Sequence, residues 1–311
     1  MAADVQSSPV PSRRDTGALV RRAWEAHVVV PAFNIPYLPM MEPVVRALRD
    51  ARCFGLVAVS RPEWVKFKAG SPRAVRDEYV RTRDERFTRL HLDHVPVIDE
   101  DNLRVDAEAI LREAVALGYA SVMVDGSRLP LAENIAVTRR IVAMSHEAGV
   151  AVEAELGAVL GHEAGPLPPY EELFASGKGF TDPAEAAQFA RETGADWLSV
   201  AFGNIHGAIA DVERDKKKLE ARLNIEHLDR IAKVTGVPLV LHGGSGILKR
   251  YVLEAVRHGI AKINVGTAIR QPYEAGAATS VEKGREAVYE AVRHVVRDEL
   301  EIEGSADVIR P

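Results

Sequence analysis

The sequence has a single cysteine, Cys53, in a chain of 311 residues. One cysteine cannot form an intrachain disulfide, and it excludes metal sites that are built from several thiolates. Any metal site in this chain must therefore use histidine and carboxylate side chains.

Long apolar runs and an excess of basic residues are also missing. No stretch reaches the roughly 18 consecutive apolar residues that suggest a membrane-spanning helix, and the polar residues 1–15 lack the apolar segment of a secretory signal. The net charge is -5, without the basic clustering of a nucleic-acid-binding surface. We therefore expect a cytoplasmic protein with a flexible tail over 1–15 and no nucleic-acid or membrane partner.

What the chain does contain is a regular alternation of short apolar runs and longer segments with helical spacing. The apolar runs that predict strands lie at 28–34, 55–60, 88–94, 121–126, 151–157, 197–203, 238–244 and 261–266. The segments that predict helices lie at 41–52, 73–80, 105–116, 131–148, 183–193, 225–235 and 247–257, with a long one after 268. Eight such units match a (β/α)8 TIM barrel in number and length.

The alternative is a doubly wound open sheet. The barrel is favoured because polar residues recur at the carboxyl ends of the runs, which converge on one site in a barrel. No linker-like composition interrupts residues 28–300. We therefore expect a single barrel domain over 16–311 that ends in a long C-terminal helical region.

Three histidines end three different apolar runs: His94, His206 and His242. Three imidazoles around an open fourth position are a common catalytic zinc arrangement. A lone strand-end histidine is more often structural, but three of the ten histidines at such ends favour a metal site. His91 shares a strand face with Asp93 and is expected deeper in the barrel, as a supporting residue and not as a ligand.

Carboxylates accompany these histidines. Asp93 is placed to act as a general acid or base beside the metal, or else to orient a histidine. Asp125 and Glu155 end neighbouring runs and are candidates for a second metal position or for orienting the ligands. Glu153, on the same face as Glu155, is interpreted as a buried, paired carboxylate.

Glycine-rich turns close the last two runs, GGSG at 243–246 and NVGT at 264–267. In TIM barrels the loops after the seventh and eighth strands often bind phosphate, and a helix N-terminus favours an anion. The long connection at 158–180 suggests a lid, in which Glu163 is either a proton-abstracting carboxylate or a solvated loop residue.

Together, the motifs HLDH, SVMVDGS, VEAELG, FTDPAEA, FGNIHG, PLVLHGGSG and KINVGT resemble those of the class II fructose-bisphosphate aldolases, which include the tagatose-bisphosphate aldolases. The resemblance covers roughly 18–305, and it implies a (β/α)8 barrel that cleaves a phosphorylated ketose to dihydroxyacetone phosphate and an aldehyde. It also implies Zn²⁺, a monovalent cation (Na⁺ or K⁺) near the phosphate, and a homodimer or homotetramer.

The resemblance also implies roles for individual residues. It makes His94, His206 and His242 the zinc ligands, Asp125 and Glu155 a second or displaced metal position, and Asp93 and Glu163 the catalytic acid/base residues. The implied substrate-binding residues are Asn34, Ser60, Gly207, Gly243, Gly244, Ser245, Asn264, Val265, Gly266 and Thr267.

Several positions depart from the family pattern. Val95 stands where glycine is usual, Ile209 where tyrosine is usual, and Arg61 where a small or amide residue is expected. The lid has His162 beside Glu163 in place of an acidic pair. These departures lie at the mouth and lid that hold the aldehyde half of the substrate, so the sequence leaves open which phosphorylated ketose, fructose 1,6-bisphosphate or another, is cleaved. Two alternatives also stay open: a metal-dependent hydrolase and a non-catalytic barrel that binds a sugar phosphate.

Overall fold

The computed structural model describes residues 15–157, 170–204, 222–244 and 247–310. Its eight strands are β1 (Val30–Asn34), β2 (Gly55–Ser60), β3 (Thr88–Pro96), β4 (Ser121–Asp125), β5 (Ala151–Leu156), β6 (Trp197–Val200), β7 (Leu239–Leu241) and β8 (Ile260–Val265). They form a closed barrel in sequence order, and each strand is parallel to the next, with β8 parallel to β1. The predicted barrel is confirmed, and every predicted run overlaps one of these strands.

Most helices of the described residues follow the strands on the outside of the barrel, and the first precedes β1. They are α1 (Thr16–Glu25), α2 (Met41–Asp50), α3 (Arg61–Val65), α4 (Pro72–Thr82), α5 (Ala107–Leu117), α6 (Leu131–Glu147), α7 (Tyr170–Ser176), α8 (Pro183–Thr193), α9 (Ile225–Thr235), α10 (Lys249–Arg257), α11 (Thr267–Ala277), α12 (Val281–His294) and α13 (Ser305–Ile309). A short 3₁₀ turn covers Leu38–Met40 and a π-helical turn covers Val295–Glu299. Among these helices, none is both long and apolar enough to cross a membrane.

Local capping residues define the ends of several helices. The Asp182 side chain accepts hydrogen bonds from the backbone N–H groups of Ala184 and Glu185, at 2.8 and 3.0 Å, and starts α8. Gly194 ends that helix in the left-handed conformation, which glycine adopts without steric cost. Asn224 caps α9 in the same way as Asp182 caps α8.

The expectation of one long helix after 268 is wrong. The segment divides into α11 and α12, because Ser280 accepts a hydrogen bond from the Lys283 N–H and starts a new helix. The two helices approach so closely that a Cβ on Gly276 would lie 2.7 Å from the Lys283 carbonyl oxygen. Glycine therefore permits this helix packing.

Helix α1 was not predicted, and it lies against the barrel end opposite the carboxyl ends of the strands. Leu19 belongs to a buried cluster with side chains of β1 and β2, and Val20 packs with Trp197 and Val240 inside the barrel.

The division into a tail at 1–15 and one domain at 16–311 stays a prediction, since residues 1–14 lie outside the described residues.

Candidate metal and catalytic centre

A bulge in β3 brings two consecutive residues, Asp93 and His94, to the barrel mouth. The pairing register between β3 and β4 shifts between Leu92 and Val95, and His94 has a positive φ of 38°. Neighbours on a regular strand point to opposite faces, whereas a bulge redirects a side chain and is common beside active sites. The bulge explains how Asp93 and His94 both reach one site.

His94, His242 and Glu155 converge at this mouth. The His94 Nε2 and His242 Nδ1 atoms are 2.6 Å apart, and Glu155 Oε2 lies 3.7 Å from His94 Nδ1 and 3.9 Å from His242 Nδ1. The three residues present ligand atoms within 4.8 Å of one another. His242 and Glu155 are buried, and His94 is only partly exposed.

The electrostatics around His94 fit a bound cation. Burial alone would lower the pKa of His94, but Asp125, Asp93 and Glu155 raise it to about 10. Burial and the neighbouring Asp125 raise the pKa of Glu155 well above its usual value. Its Oε2 is buried and has no hydrogen-bond partner among the described residues. A divalent metal would offset these carboxylates and give that oxygen a partner, so the donor set fits a metal.

Asp125, whose Oδ2 is 3.6 Å from His94 Nδ1, lies on the outer side of this cluster. Its other oxygen, Oδ1, accepts hydrogen bonds from the Ser127 N–H and hydroxyl at 3.0 and 2.6 Å. Burial would raise the pKa of Asp125, but His94 and Ser127 lower it well below its usual value. Asp125 thus stays anionic at the rim of the histidine cluster.

Asp93 is held from two sides by amide groups. Asn34 Nδ2 donates to Asp93 Oδ2 at 2.9 Å, and Asn264 Nδ2 lies 3.0 and 2.8 Å from Oδ1 and Oδ2. Burial opposes ionisation, but the charge of Lys262 and the His91 imidazole, whose Nε2 lies 3.5 Å from Asp93 Oδ1, hold the pKa of Asp93 well below its usual range. Asp93 is therefore an ionised carboxylate with a fixed orientation next to a histidine cluster.

Glu153 was left out of the predicted site, yet it contacts the centre directly. Its Oε1 accepts a hydrogen bond from His242 Nε2 at 2.8 Å. Its Oε2 accepts from Trp197 Nε1 at 2.6 Å and lies 2.8 Å from Lys262 Nζ. Lysine is almost never fully buried unless it is paired, and Lys262 has no exposed surface.

A sequence signal for these residues exists. Glu153 and Lys262 stand two positions before Glu155 and Asn264, so the two-residue period of a strand places each pair on one face. A glutamate and a lysine inside the otherwise apolar runs AVEAELG and AKINVG indicate a buried ion pair. Which strand partners they meet depends on barrel closure.

His91 lies inward beside Asp93, as the alternation predicts, with Nδ1 2.9 Å from Ser121 Oγ.

The residues predicted to bind substrate surround this centre at the strand ends. Ser60 ends β2, and its backbone N–H donates to Glu63 Oε2 at 2.6 Å. Gly243 and Gly244 follow β7, and Gly243 has a positive φ of 66°. Asn34 ends β1, and the other described members lie at the end of β8 and the start of α11: Asn264, Val265, Gly266 and Thr267. The Asn264 amide contacts Lys262 and Asp93, so it faces the barrel interior.

Two buried asparagines that were not predicted support the site from behind. Asn204 Nδ2 donates to the backbone carbonyl of His242 at 3.0 Å, and Asn134 Nδ2 donates to that of Glu155 at 2.9 Å. Four predicted residues lie outside the described residues: Glu163, His206, Gly207 and Ser245. Ile209 and His162, two of the departures from the family pattern, lie outside them as well.

Comparison with known proteins connects this geometry to one family. The family described as "Fructose-bisphosphate aldolase class-II" matches residues 14–307. A fructose-bisphosphate aldolase from Staphylococcus aureus strain N315 is 35% identical over 206 residues, which are 66% of this chain and 63% of that protein. One from Staphylococcus epidermidis strain ATCC 12228 is 36% identical over 178 residues, which are 57% of this chain and 54% of that protein. The chain thus spans less than two thirds of the length of these relatives.

Solved structures of other proteins superpose on nearly the whole chain. A putative fructose-1,6-bisphosphate aldolase from Coccidioides immitis superposes with a TM-score of 0.75 at 27% identity, covering 94% of this chain and 98% of that chain. The YdjI aldolase from Escherichia coli K12 superposes with a TM-score of 0.73 at 26% identity, with the same coverage. The match over 14–307 covers all of the motifs named above, and the chain belongs to the class II fructose-bisphosphate aldolase family.

Proposed function

We propose that the protein is a metal-dependent class II aldolase that reversibly cleaves a phosphorylated ketose, similar to fructose 1,6-bisphosphate, into dihydroxyacetone phosphate and an aldehyde. The observation that carries this proposal is the convergence of His94, His242 and Glu155 beside an ionised, immobilised Asp93. In this proposal Asp93 would accept the proton of a hydroxyl of the bound ketose.

Zinc is the metal we propose, because histidine and carboxylate donors without thiolates form usual catalytic zinc sites. His94 and His242 would be ligands together with His206, and Glu155 and Asp125 would form a second or displaced position. Zinc bound there would act as a Lewis acid toward the oxygens of the ketose carbonyl and its neighbouring hydroxyl.

Two carboxylates of the chain, Asp93 and Glu163, would carry out the proton transfers. Asp93 would accept the proton of the C4 hydroxyl as the C3–C4 bond breaks, and its lowered pKa keeps the carboxylate ionised. Asn34 and Asn264 would hold the accepting oxygens in place. We assign the proton at the carbon of the dihydroxyacetone phosphate fragment to Glu163, on the basis of the family resemblance.

The phosphate would bind where the last two strands end. A glycine-rich turn and the positive end of a helix dipole both favour an anion, so we assign the phosphate site to Gly243, Gly244 and Ser245 and to the N-terminal turn of α11. The other substrate-binding residues proposed are Asn34, Ser60, Gly207, Asn264, Val265, Gly266 and Thr267. A monovalent cation, Na⁺ or K⁺, would lie near the phosphate.

The cellular setting follows from the same reading. We propose a cytoplasmic enzyme of carbohydrate metabolism that acts on a small phosphorylated sugar and forms a homodimer or homotetramer. A buried, unpaired Cys53 is compatible with a reducing compartment. The oligomeric state is proposed from the family resemblance.

The test is retro-aldol cleavage of a panel of ketose phosphates before and after metal removal. Chelation should abolish release of dihydroxyacetone phosphate, and stoichiometric Zn²⁺ should restore it. Full activity of the metal-free protein, or release of inorganic phosphate without carbon–carbon cleavage, would contradict the proposal. Because Arg61 departs from the family pattern, the panel should include ketoses that differ in the aldehyde half.

A further inference from the structure

Lys262 lies in the centre of the barrel interior with no exposed surface. Its Nζ donates to Asn264 Oδ1 at 2.6 Å, and it is 2.8 Å from Glu153 Oε2 and 3.7 Å from Asp93 Oδ1. Removing an ammonium group from water costs several kcal/mol unless the group is paired and hydrogen-bonded. These short contacts offset that cost and tie Lys262 to both parts of the proposed centre.

The contact between Lys262 and Glu153 positions the proposed metal ligand His242. Lys262 and Trp197 hold Glu153 Oε2, so that Oε1 faces His242 and accepts its Nε2–H. A proton on Nε2 leaves the lone pair on Nδ1, and Nδ1 is the atom that faces His94 and Glu155. Lys262 therefore helps to fix the tautomer and the ring orientation of a proposed ligand.

The contact between Lys262 and Asn264 orients the amide group that holds Asp93, the proposed proton acceptor. The side-chain oxygen of Asn264 faces Lys262, and this orients its amide nitrogen toward both oxygens of Asp93. If the amide flipped, an NH₂ group would face the ammonium and an oxygen would face the carboxylate, and both contacts are repulsive. Lys262 thus determines that Asn264 presents its amide nitrogen, and not its oxygen, to Asp93.

We propose that Lys262 is a positioning residue that acts on both ends of the reaction, through Glu153 on His242 and through Asn264 on Asp93. This inference rests on the proposed function, because it presumes a metal at His242. The grouping of His91, Asp93 and Glu153 also resembles a metal-ligand set. The Lys262 ammonium already provides the cation beside these carboxylates, so we assign this inner cluster to lysine and not to a second metal.

The main test is Lys262→Met, which keeps the length of the side chain and removes its charge and donors. We expect zinc affinity, measured by competition with a chromophoric chelator, to fall about tenfold. This is the lower end of the range that is typical when a residue that orients a metal ligand is removed. We expect kcat to fall at least as far, with a smaller change in KM. The matched control is Lys249→Met, at a lysine on α10 that is 43% exposed, and it should leave both values unchanged.

Two further measurements separate positioning from a general loss of structure. Glu153→Gln should weaken zinc binding, and its combination with Lys262→Met should weaken it less than the sum of the two single effects, because both act on His242. In Lys262→Ala, propylammonium should restore part of kcat, whereas propanol of the same length should not. The rescue of Lys262→Ala also decides the question if Lys262→Met does not fold.

Wild-type zinc affinity in Lys262→Met, additive effects in the double variant, or equal rescue by propanol would each overturn the inference. Zinc binding is measured without turnover, so the inference and the proposed function fail separately. A wild-type protein that binds zinc but cleaves no ketose phosphate contradicts the function alone. An active wild type whose Lys262→Met variant equals it contradicts the inference alone.

Discussion

Three buried carboxylates in neighbouring positions have three different environments. Asp93 accepts from two amides, Glu153 pairs with Lys262, and Glu155 has an oxygen without a hydrogen-bond partner among the described residues. Opposite shifts of pKa in neighbouring acids are typical of sites that use each acid differently. The pKa of Glu153 is lowered to about 2 despite burial, chiefly by Lys262, whereas that of Glu155 is raised.

Gly126, which directly follows Asp125, allows Asn134 to reach the backbone of Glu155. A Cβ at this position would lie 2.1 Å from Asn134 Oδ1. We expect Gly126→Ala to displace Asn134 and to lower the free energy of unfolding by about 2 kcal/mol, a typical cost of overpacking. Zinc affinity should fall as well, because Glu155 loses its backbone support.

The control for this variant is Gly17→Ala. A Cβ on Gly17 meets its nearest atoms at 3.6 and 3.7 Å, which is ordinary contact, and alanine favours the helix. Urea unfolding and chelator competition measure both effects. Equal stability and zinc affinity in Gly126→Ala and wild type would show that Asn134 does not support the metal position.

At the scale of elements, the short helix α3 begins immediately after β2 and closes one side of the site. Ser60 and Glu63 form a capping box, in which the Ser60 side chain accepts from the Glu63 N–H and the Glu63 carboxylate accepts from the Ser60 N–H. Glu63 Oε2 also lies 3.5 Å from Asn34 Nδ2. The start of this helix is therefore coupled to an amide that orients Asp93.

Glu63 makes the stability of the protein depend on pH. Burial raises its pKa from 4.5 to about 8, although the Ser60 N–H opposes the shift. The folded state thus binds this proton more tightly than the unfolded chain. The stabilisation is fully present below pH 4.5 and is lost as the pH rises through about 8.

Glu63→Gln should flatten this dependence, because glutamine keeps an accepting oxygen and does not ionise. Between pH 5 and 8, the wild type should lose stability relative to the variant at up to about 1.4 kcal/mol per pH unit. Urea unfolding of metal-free protein measures the difference. Glu282→Gln, at an exposed glutamate in the first turn of α12, should run parallel to the wild type. A parallel Glu63→Gln curve would show that Glu63 is ionised throughout.

At the scale of the whole molecule, the barrel separates stability from chemistry. The candidate centre lies at the carboxyl ends of the strands, whereas α1 packs against the opposite end. In TIM barrels the former end carries activity and the latter contributes stability. Changes in α1 should therefore affect folding and leave turnover intact.

Leu19→Ala tests this separation, because Leu19 is fully buried in α1. We expect the free energy of unfolding to fall by about 3 kcal/mol, as for other buried leucines, while kcat and KM at 25 °C stay unchanged. The control is Leu103→Ala, since Leu103 is 63% exposed, and it should change stability by less than about 0.5 kcal/mol. A loss of turnover in folded Leu19→Ala would indicate that the two ends are coupled.

The eight-unit barrel was predictable from sequence, because strands buried on both faces read as apolar runs and their caps and glycines are local signals. The strand ends also marked Asp93, His94, Asp125, Glu155 and His242 as site candidates. Helix α1 and the break between α11 and α12 were missed. Helix α1 packs against strands far away in the chain, which local periodicity does not report. The break between α11 and α12 depends on the Ser280 cap, which the helical spacing of the segment does not show.

By itself, the sequence determined the chemical types available, histidine and carboxylate without thiolate, and the strand ends at which they stand. Only the tertiary structure decided how Asp93 and His94 both reach the mouth, since a regular strand would send neighbours to opposite faces and the β3 bulge does not. It also decided the partners of Glu153 and Lys262, which are 109 positions apart in the numbering (262 minus 153) and 2.8 Å apart in the barrel. Barrel closure creates such contacts, and no local pattern encodes them.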